Sequence, residues 1–227
     1  MKPMMSPNES GTNFDTSTNS YSLYFRNPLD FSILEQIILP ALFKRNEISG
    51  SKAVRIWSAE CADGQEPYSL LMVAADLIKE RLKNESVMVF ATDISAQALQ
   101  TAKKGSYSNI VMQNVKLSRL TDYFSSKGAV WTVTDKLKQL VEFSYYDLLD
   151  TKSSSPPCSI FGGFDLVVCC NVLIYYKPEL QLFILDKLYN SLTDHGCLMV
   201  DQSEKMILKL HKGFRMFNPV GNIFTKA

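Results

Sequence analysis

The chain has 227 residues, enough for one α/β domain with its own core, and 24 Lys and Arg against 23 Asp and Glu leave a net charge of +1. That balance provides no overall field for nucleic acid or an anionic membrane; no apolar run approaches the ~20 residues of a membrane span, and the N-terminus lacks the apolar stretch of a signal peptide. A cytoplasmic protein that neither binds nucleic acid nor inserts into a membrane is expected. The cysteines (Cys61, Cys158, Cys169, Cys170 and Cys197) are odd in number and lack CxxC spacing, and His195 and His211 are the only histidines. Reduced, buried thiols are therefore expected, and neither a metal site nor a histidine triad.

In chain order, residues 1–20 are rich in Ser, Thr, Asn and Pro and read as a flexible polar leader, with order beginning at Tyr21. The apolar positions of Phe31 to Leu39 recur at three and four residues, which predicts a helix that Pro40 kinks or ends. Ala53 to Ala59 reads as a first strand and Glu66 to about Leu82 as a first helix, opened by Pro67. Val87 to Asp93 is a second strand ending in a carboxylate, and Ser95 is placed to cap a helix over Ala96 to Lys104. Ala129 to Val133 and Leu140 to Ser144 read as a small hairpin, turned by Asp135 to Gln139, within a β subdomain at about 124–140.

Thr151 to Pro157, with three serines and two prolines, reads as an exposed loop. Phe164 to Cys170 is a fully buried strand, Glu179 to about Leu192 an amphipathic helix, and Gly196 to Val200 the next strand. Phe214 to Phe217 and Asn222 to Thr225 form a last hairpin around Pro219 and Gly221. Strand, helix, strand, helix in this order predicts a doubly wound, mostly parallel sheet.

The turn after the first strand carries the chemistry. A dinucleotide site requires GxGxxG, so that backbone can approach a pyrophosphate closely. Here Gly64 is the single glycine, and Glu60 and Asp63 would repel phosphate. A cationic or zwitterionic ligand fits better, and S-adenosylmethionine, with its sulfonium and ammonium, is one. Asp93 stands where acidic residues accept ribose hydroxyls in nucleoside-binding α/β folds; it reads equally as a cap for the helix after Ser95.

Five segments then occur in order: Tyr24-Phe25-Arg26; Arg55 to Ala59 running through Gly64-Gln65-Glu66-Pro67-Tyr68-Ser69; Ala91-Thr92-Asp93-Ile94-Ser95; Asn171 to Tyr176; and Gln202-Ser203-Glu204. In this order and spacing the chain, from about Ser20 to its end, resembles the CheR family of chemotaxis-receptor methyltransferases. The resemblance implies a class I, Rossmann-like methyltransferase domain over 21–227 that uses S-adenosylmethionine, leaves S-adenosylhomocysteine, and methylates glutamate side chains of receptor cytoplasmic domains or another acidic protein. It implies that Ser22 and Arg26 edge the pocket, with Arg26 near the transferred methyl. Glu66 matches an acidic pair beyond the turn whose other member is here Gln65. Ala59 and Glu60 belong to the turn, Asp93 and Ile94 to the ribose side, Asp147 and Leu148 to the adenine side, and Asn171 and Val172 to the strand-end motif. Arg26 and Tyr175 are implied to orient the substrate carboxylate.

By residue type alone, Arg26 also reads as a surface arginine lying over aromatics, Tyr175 as an aromatic closing a strand, Asn171 as a turn residue and Glu66 as a partner of the helix dipole. Cys170 has no neighbour in sequence that would generate a thiolate. The chain departs from the family in three places. Only the polar leader precedes Tyr21 where a helical receptor-facing domain is usual, which points to a separate chain for substrate recognition. Glu60 replaces a small residue, commonly glycine, and Cys170 replaces an arginine. Phe124 to Leu140 is shorter than in members that grip a receptor's tail peptide. Arg26, Asp93, Asn171 and Tyr175 favour an enzyme. Glu60 and Cys170 favour a weakly active or inactive cofactor-binding module in signalling, and a small-molecule methyltransferase is the third reading.

Overall fold

A computed structural model describes residues 22–51, 53–80, 85–153, 155–156 and 163–227. The polar leader, the expected onset of order at Tyr21 and Cys158 lie outside these residues, as does part of the loop expected over 151–157.

Four parallel neighbours set the frame. β1 (Val54–Ala59) pairs in parallel with β2 (Val87–Asp93) on one side and β7 (Phe164–Cys169) on the other; β2 continues to β6 (Val141–Tyr145) and β7 to β8 (Leu192–Val200). β10 (Ile223–Lys226) then runs antiparallel to β8, and β9 (Phe214–Met216) antiparallel to β10, so the sheet order is β6-β2-β1-β7-β8-β10-β9. The strand order reverses at β1 and β7, which opens a crevice above their carboxyl ends.

Alternation along the strands divides the core between the two faces. Val54 and Ile56 pack with the face that also buries Val89, Leu166 and Met199, under α3 (Gln65–Glu80). Trp57 and Ala59 face the other way, with Phe164, Val167 and Leu198, against Ile184, Leu185 and Leu188 of α7 (Pro178–Ser191). Trp57 is fully buried, and its Nε1–H donates to the Thr92 hydroxyl at 3.0 Å, so its one polar atom is paired inside the core.

Three local readings from the sequence change. The N-terminal helix does not end at Pro40: α1 (Pro28–Ile33) leads through a π-helical turn (Leu34–Ile38) into α2 (Leu39–Ser49), closed by Gly50 at φ 72°. The wider turn sits just before the proline, where a missing N–H and a crowding ring would otherwise break the ladder. Second, Ala129–Val133 and Leu140–Ser144 do not pair. The first becomes β5 (Val130–Val133), in a separate antiparallel sheet between β3 (Ser106–Ser108) and β4 (Phe124–Lys127), while the second becomes β6 of the main sheet. Asp135–Lys138 between them is a helical turn, α6, and Leu137 is buried. Third, the small sheet recruits a strand before position 124, because Tyr107 of β3 packs edge-on against Tyr24 and donates its hydroxyl to the Asp63 carbonyl at 2.7 Å. α4 (Ala96–Lys104) forms as expected, with the Ser95 side chain accepting from Ala98 N.

No helix among the described residues is long and apolar enough to cross a membrane. The final strands are tied to the first helix by Asp30, which is buried and accepts the Asn222 backbone N–H at 2.8 Å and its side-chain amide at 2.7 Å. Asp30→Ala strands both donors in the interior, so unfolding in urea should show a loss of roughly 2–4 kcal/mol; a loss within error would remove this pair from the list of structural anchors.

Candidate active site

A cleft of about 640 Å³ opens above the carboxyl ends of β1 and β7, a volume in the range of small-molecule sites. Its walls are the turn Glu60 to Ala62, Glu66 at the start of α3, the segment Cys170 to Tyr176 after β7, and an N-terminal strap, Ser22 to Asn27.

The strap is held by hydrogen bonds to side chains. Phe25 N donates to the Ser69 hydroxyl at 3.1 Å, Asn114 Nδ2 reaches the Phe25 carbonyl at 3.3 Å, and Asn27 Nδ2 donates to Asp201 Oδ2 at 3.1 Å. These bonds place Arg26 at the cleft beside Glu66 and Asp201, each of whose carboxyls its charge pulls down. Arg26 makes no hydrogen bond to the described residues. Among the described residues the arginines that lie over aromatics are Arg119, 4.7 Å from the Phe25 ring, and Arg55, 5.2 Å from Phe90 and 5.3 Å from Phe164, not Arg26.

The far wall depends on Glu204. Its carboxylate is fully buried, with Oε1 accepting the N–H groups of Val172 and Leu173 at 2.7 Å each, and Oε2 those of Asn171 and Asp201 at 2.9 Å each. Four amides converge on one carboxylate, three of them from consecutive residues of a turn in which Asn171 sits at φ 62°. Asp201 and Glu204 form a capping box on the short 3₁₀ turn Gln202–Glu204. The sequence reading placed Glu204 in a family segment but gave it no role; the D-x-x-E pattern directly after a buried strand was the available signal.

Of the expected site residues, Ser22, Arg26, Glu60, Glu66, Asn171, Val172 and Tyr175 line the cleft together. Tyr175 is 62% exposed at the rim. Asp93 sits behind the turn: Oδ2 accepts Ala62 N at 2.8 Å and Oδ1 accepts Ser95 N at 2.7 Å. Asp93 thus holds the turn and the residue that caps α4, and each of its oxygens keeps a second lone pair available to a ligand hydroxyl. Ile94 is exposed beside it, while Ala59 and Leu148 are buried in the core. Asp147 closes its own turn by accepting Leu149 N at 2.8 Å.

Carboxyls dominate the electrostatics. Burial, then Asp93 and Asp147, raise Glu60 to about 8. Burial raises Glu66 to about 7 against the lowering effect of the Ser58 hydroxyl, which donates to it at 2.7 Å. Burial and the neighbouring Glu66 push the Cys170 thiol well up, so it is no nucleophile at neutral pH. No group of three or more His, Cys, Asp or Glu suited to a metal occurs among the described residues. A cavity crowded with acids repels phosphate and attracts a cation, so its side chains fit a sulfonium nucleoside with a free ammonium and do not fit a dinucleotide.

Residues 20–220 match the family model described as CheR methyltransferase, SAM binding domain. The chain is 38% identical over 196 residues to chemotaxis protein methyltransferase 1 of Pseudomonas aeruginosa, covering 85% of this chain and 68% of that protein. It is 32% identical over 196 residues to chemotaxis protein methyltransferase Cher2 of Pseudomonas putida, covering 85% and 68%. The chemotaxis protein methyltransferase of Vibrio parahaemolyticus is likewise 32% identical over 196 residues, covering 85% and 67%.

Two outcomes follow from the geometry. Glu204→Gln replaces two acceptor positions by donors facing Asn171 N and Asp201 N. It should lose roughly 1–3 kcal/mol in urea unfolding and weaken S-adenosylhomocysteine binding; unchanged affinity would detach the Glu204 cradle from the cofactor site. The second concerns pH. Because the folded values of Glu60 and Glu66 lie above their unfolded values of about 4.3, the stabilisation they give is complete below that pH and is lost as pH rises through about 7 and 8. Thermal melts without nucleoside should fall as pH rises from about 4.3 to about 8, the window those values set, and Glu60→Gln should flatten that fall.

Proposed function

The chain belongs to the CheR methyltransferase family, and from that premise we propose that it is a protein-glutamate O-methyltransferase, acting on the cytoplasmic domain of a chemotaxis-type receptor. The cofactor is S-adenosylmethionine, which supplies an activated methyl group when bound. The observation that carries the substrate reading is Arg26: a guanidinium without a hydrogen-bonded partner among the described residues, held at the rim of an otherwise acidic cleft.

A glutamate carboxylate has an ordinary pKa of about 4.3, so the nucleophile is ionised at neutral pH and needs no general base. The protein's task is alignment, holding the reacting atoms at about 3 to 3.5 Å in line. We assign the orientation of the incoming carboxylate to Arg26 and Tyr175, through hydrogen bonds, with no proton transferred by either. Asp93 and Ile94 would hold the ribose side of the cofactor, and Asp147 with the backbone at Leu148 the adenine side. Ala59, Glu60, Glu66, Asn171, Val172 and Ser22 would border the remainder. The position of Arg26 at the rim, with its charge felt by Glu66 and Asp201, also supports this division, because it is the cleft's cation toward which a substrate carboxylate is drawn.

The test is transfer of radiolabelled methyl to receptor cytoplasmic domains, read as base-labile label. Arg26→Ala and Tyr175→Phe should each lower turnover by about tenfold or more while leaving the Kd for S-adenosylhomocysteine within about threefold. Cofactor binding with no label on any receptor domain would replace the enzyme by a binding module, and loss of cofactor binding in both variants would remove the two residues from carboxylate orientation.

A further inference from the structure

Glu60 is not explained by a cofactor cleft of this kind. Its backbone lies at φ 57°, in the left-handed region that favours glycine over a residue with a side chain. It immediately follows β1, where a ligand of a doubly wound fold comes closest to the main chain. Its side chain turns to the end of β2: the Ile94 backbone N–H reaches the carboxyl, and Asp93 and Asp147 are the acids that face it. Tyr176, Cys61 and Cys169 are the other titratable groups around it. Arg26, the cation of the cleft, acts on Glu66 and Asp201 instead. A carboxyl thus sits beside other carboxyls, with no cation beside it among the described residues, on the backbone amide next to Asp93.

We propose that Glu60 is a built-in plug of the nucleoside end of the cleft, occupying the Ile94 amide beside Asp93 in the free protein, so that the cofactor binds only when this side chain swings out to solvent. The inference rests on the placement of the ribose against Asp93 and Ile94 proposed above. In place, the plug keeps its proton up to about pH 8, because ionising it would set a third charge against Asp93 and Asp147. Swung out into water it returns to about 4.3 and ionises. Nucleoside binding at neutral pH therefore releases the Glu60 proton to solvent, and affinity rises with pH up to about 8. Glu66 titrates in the same region but is common to every variant compared below.

Calorimetric titration of the full chain with S-adenosylhomocysteine, at pH 7 in two buffers of different ionisation enthalpy, reads affinity and proton release together. Glu60→Gly relieves the left-handed position, so a folding defect is not expected. It should bind about tenfold tighter than the parent chain and release about one proton fewer. Glu60→Gln keeps the obstruction and loses the proton, so its affinity should not exceed the parent's and should vary less with pH. Weaker binding by Glu60→Gly would show that Glu60 grips the ligand and overturn the plug, as would equal affinity or equal proton release. Binding by neither the parent nor the glycine variant would overturn the cofactor placement itself, a result distinct from a mere absence of difference between them.

Discussion

Four backbone amides meet one buried carboxylate, that of Glu204, and the rest of the site depends on that meeting. β7 and β8 end side by side, and the chain leaving β7 must turn sharply to form the cleft wall. A turn with Asn171 in the left-handed region leaves its N–H groups without strand partners. Glu204, delivered from the end of β8 by the short turn that Asp201 caps, accepts three of them together with the Asp201 N–H. Burial raises the Glu204 carboxyl while the four donors pull it down, and the same donors leave it no free lone pair that a neutral acid could turn into a donor without a clash. Asp201 then reaches across to Asn27, so one polar cluster fixes both the far wall and the strap that carries Arg26.

Backbone strain gathers at the same place. Phe25, Glu60, Ala62 and Asn171 all have positive φ, and all four belong to the strap, the turn or the strand-end segment around the cleft. Conformations of this kind persist where surrounding contacts over-determine them, which the bonds from Ser69, Asp93 and Glu204 do here. The result is a rim whose backbone has little freedom to relax away from a ligand, and a catalytic arrangement that needs alignment more than it needs proton transfer.

Charge is distributed to match. The chain as a whole is nearly neutral, yet the cleft collects Glu60, Glu66, Asp93 and Asp147 near one another and sets one guanidinium at its edge. Burial first, and repulsion from neighbouring acids after it, raises the acids that are most enclosed, so the free cleft holds protons that a bound cation would displace. Membership of the CheR family supplies the identity of that cation; the acidity of the walls supplies the physical reason it is preferred to a phosphate.

The sequence by itself determined the doubly wound sheet, because fully buried, largely apolar strands such as Phe164–Cys169 and a capped helix such as Ala96–Lys104 are local patterns with local causes. It also determined which ligands the first turn refuses, since a single glycine among acids is a statement about close approach and charge. The segments carrying Arg26, Asp93, Asn171 and Tyr175 were legible as family patterns. Tertiary structure alone decided the partner of Val130–Val133, because a strand edge is satisfied by whichever segment packing brings to it, and Tyr107 on Tyr24 brings β3. It decided that the N-terminal helix takes a π turn over Leu34–Ile38 and continues past Pro40 as α2, and that Glu204 is the anchor of the site. Side chains that act by collecting backbone amides leave no periodicity in the chain; their partners are 31 to 33 residues away and become neighbours only when β7 and β8 lie in register.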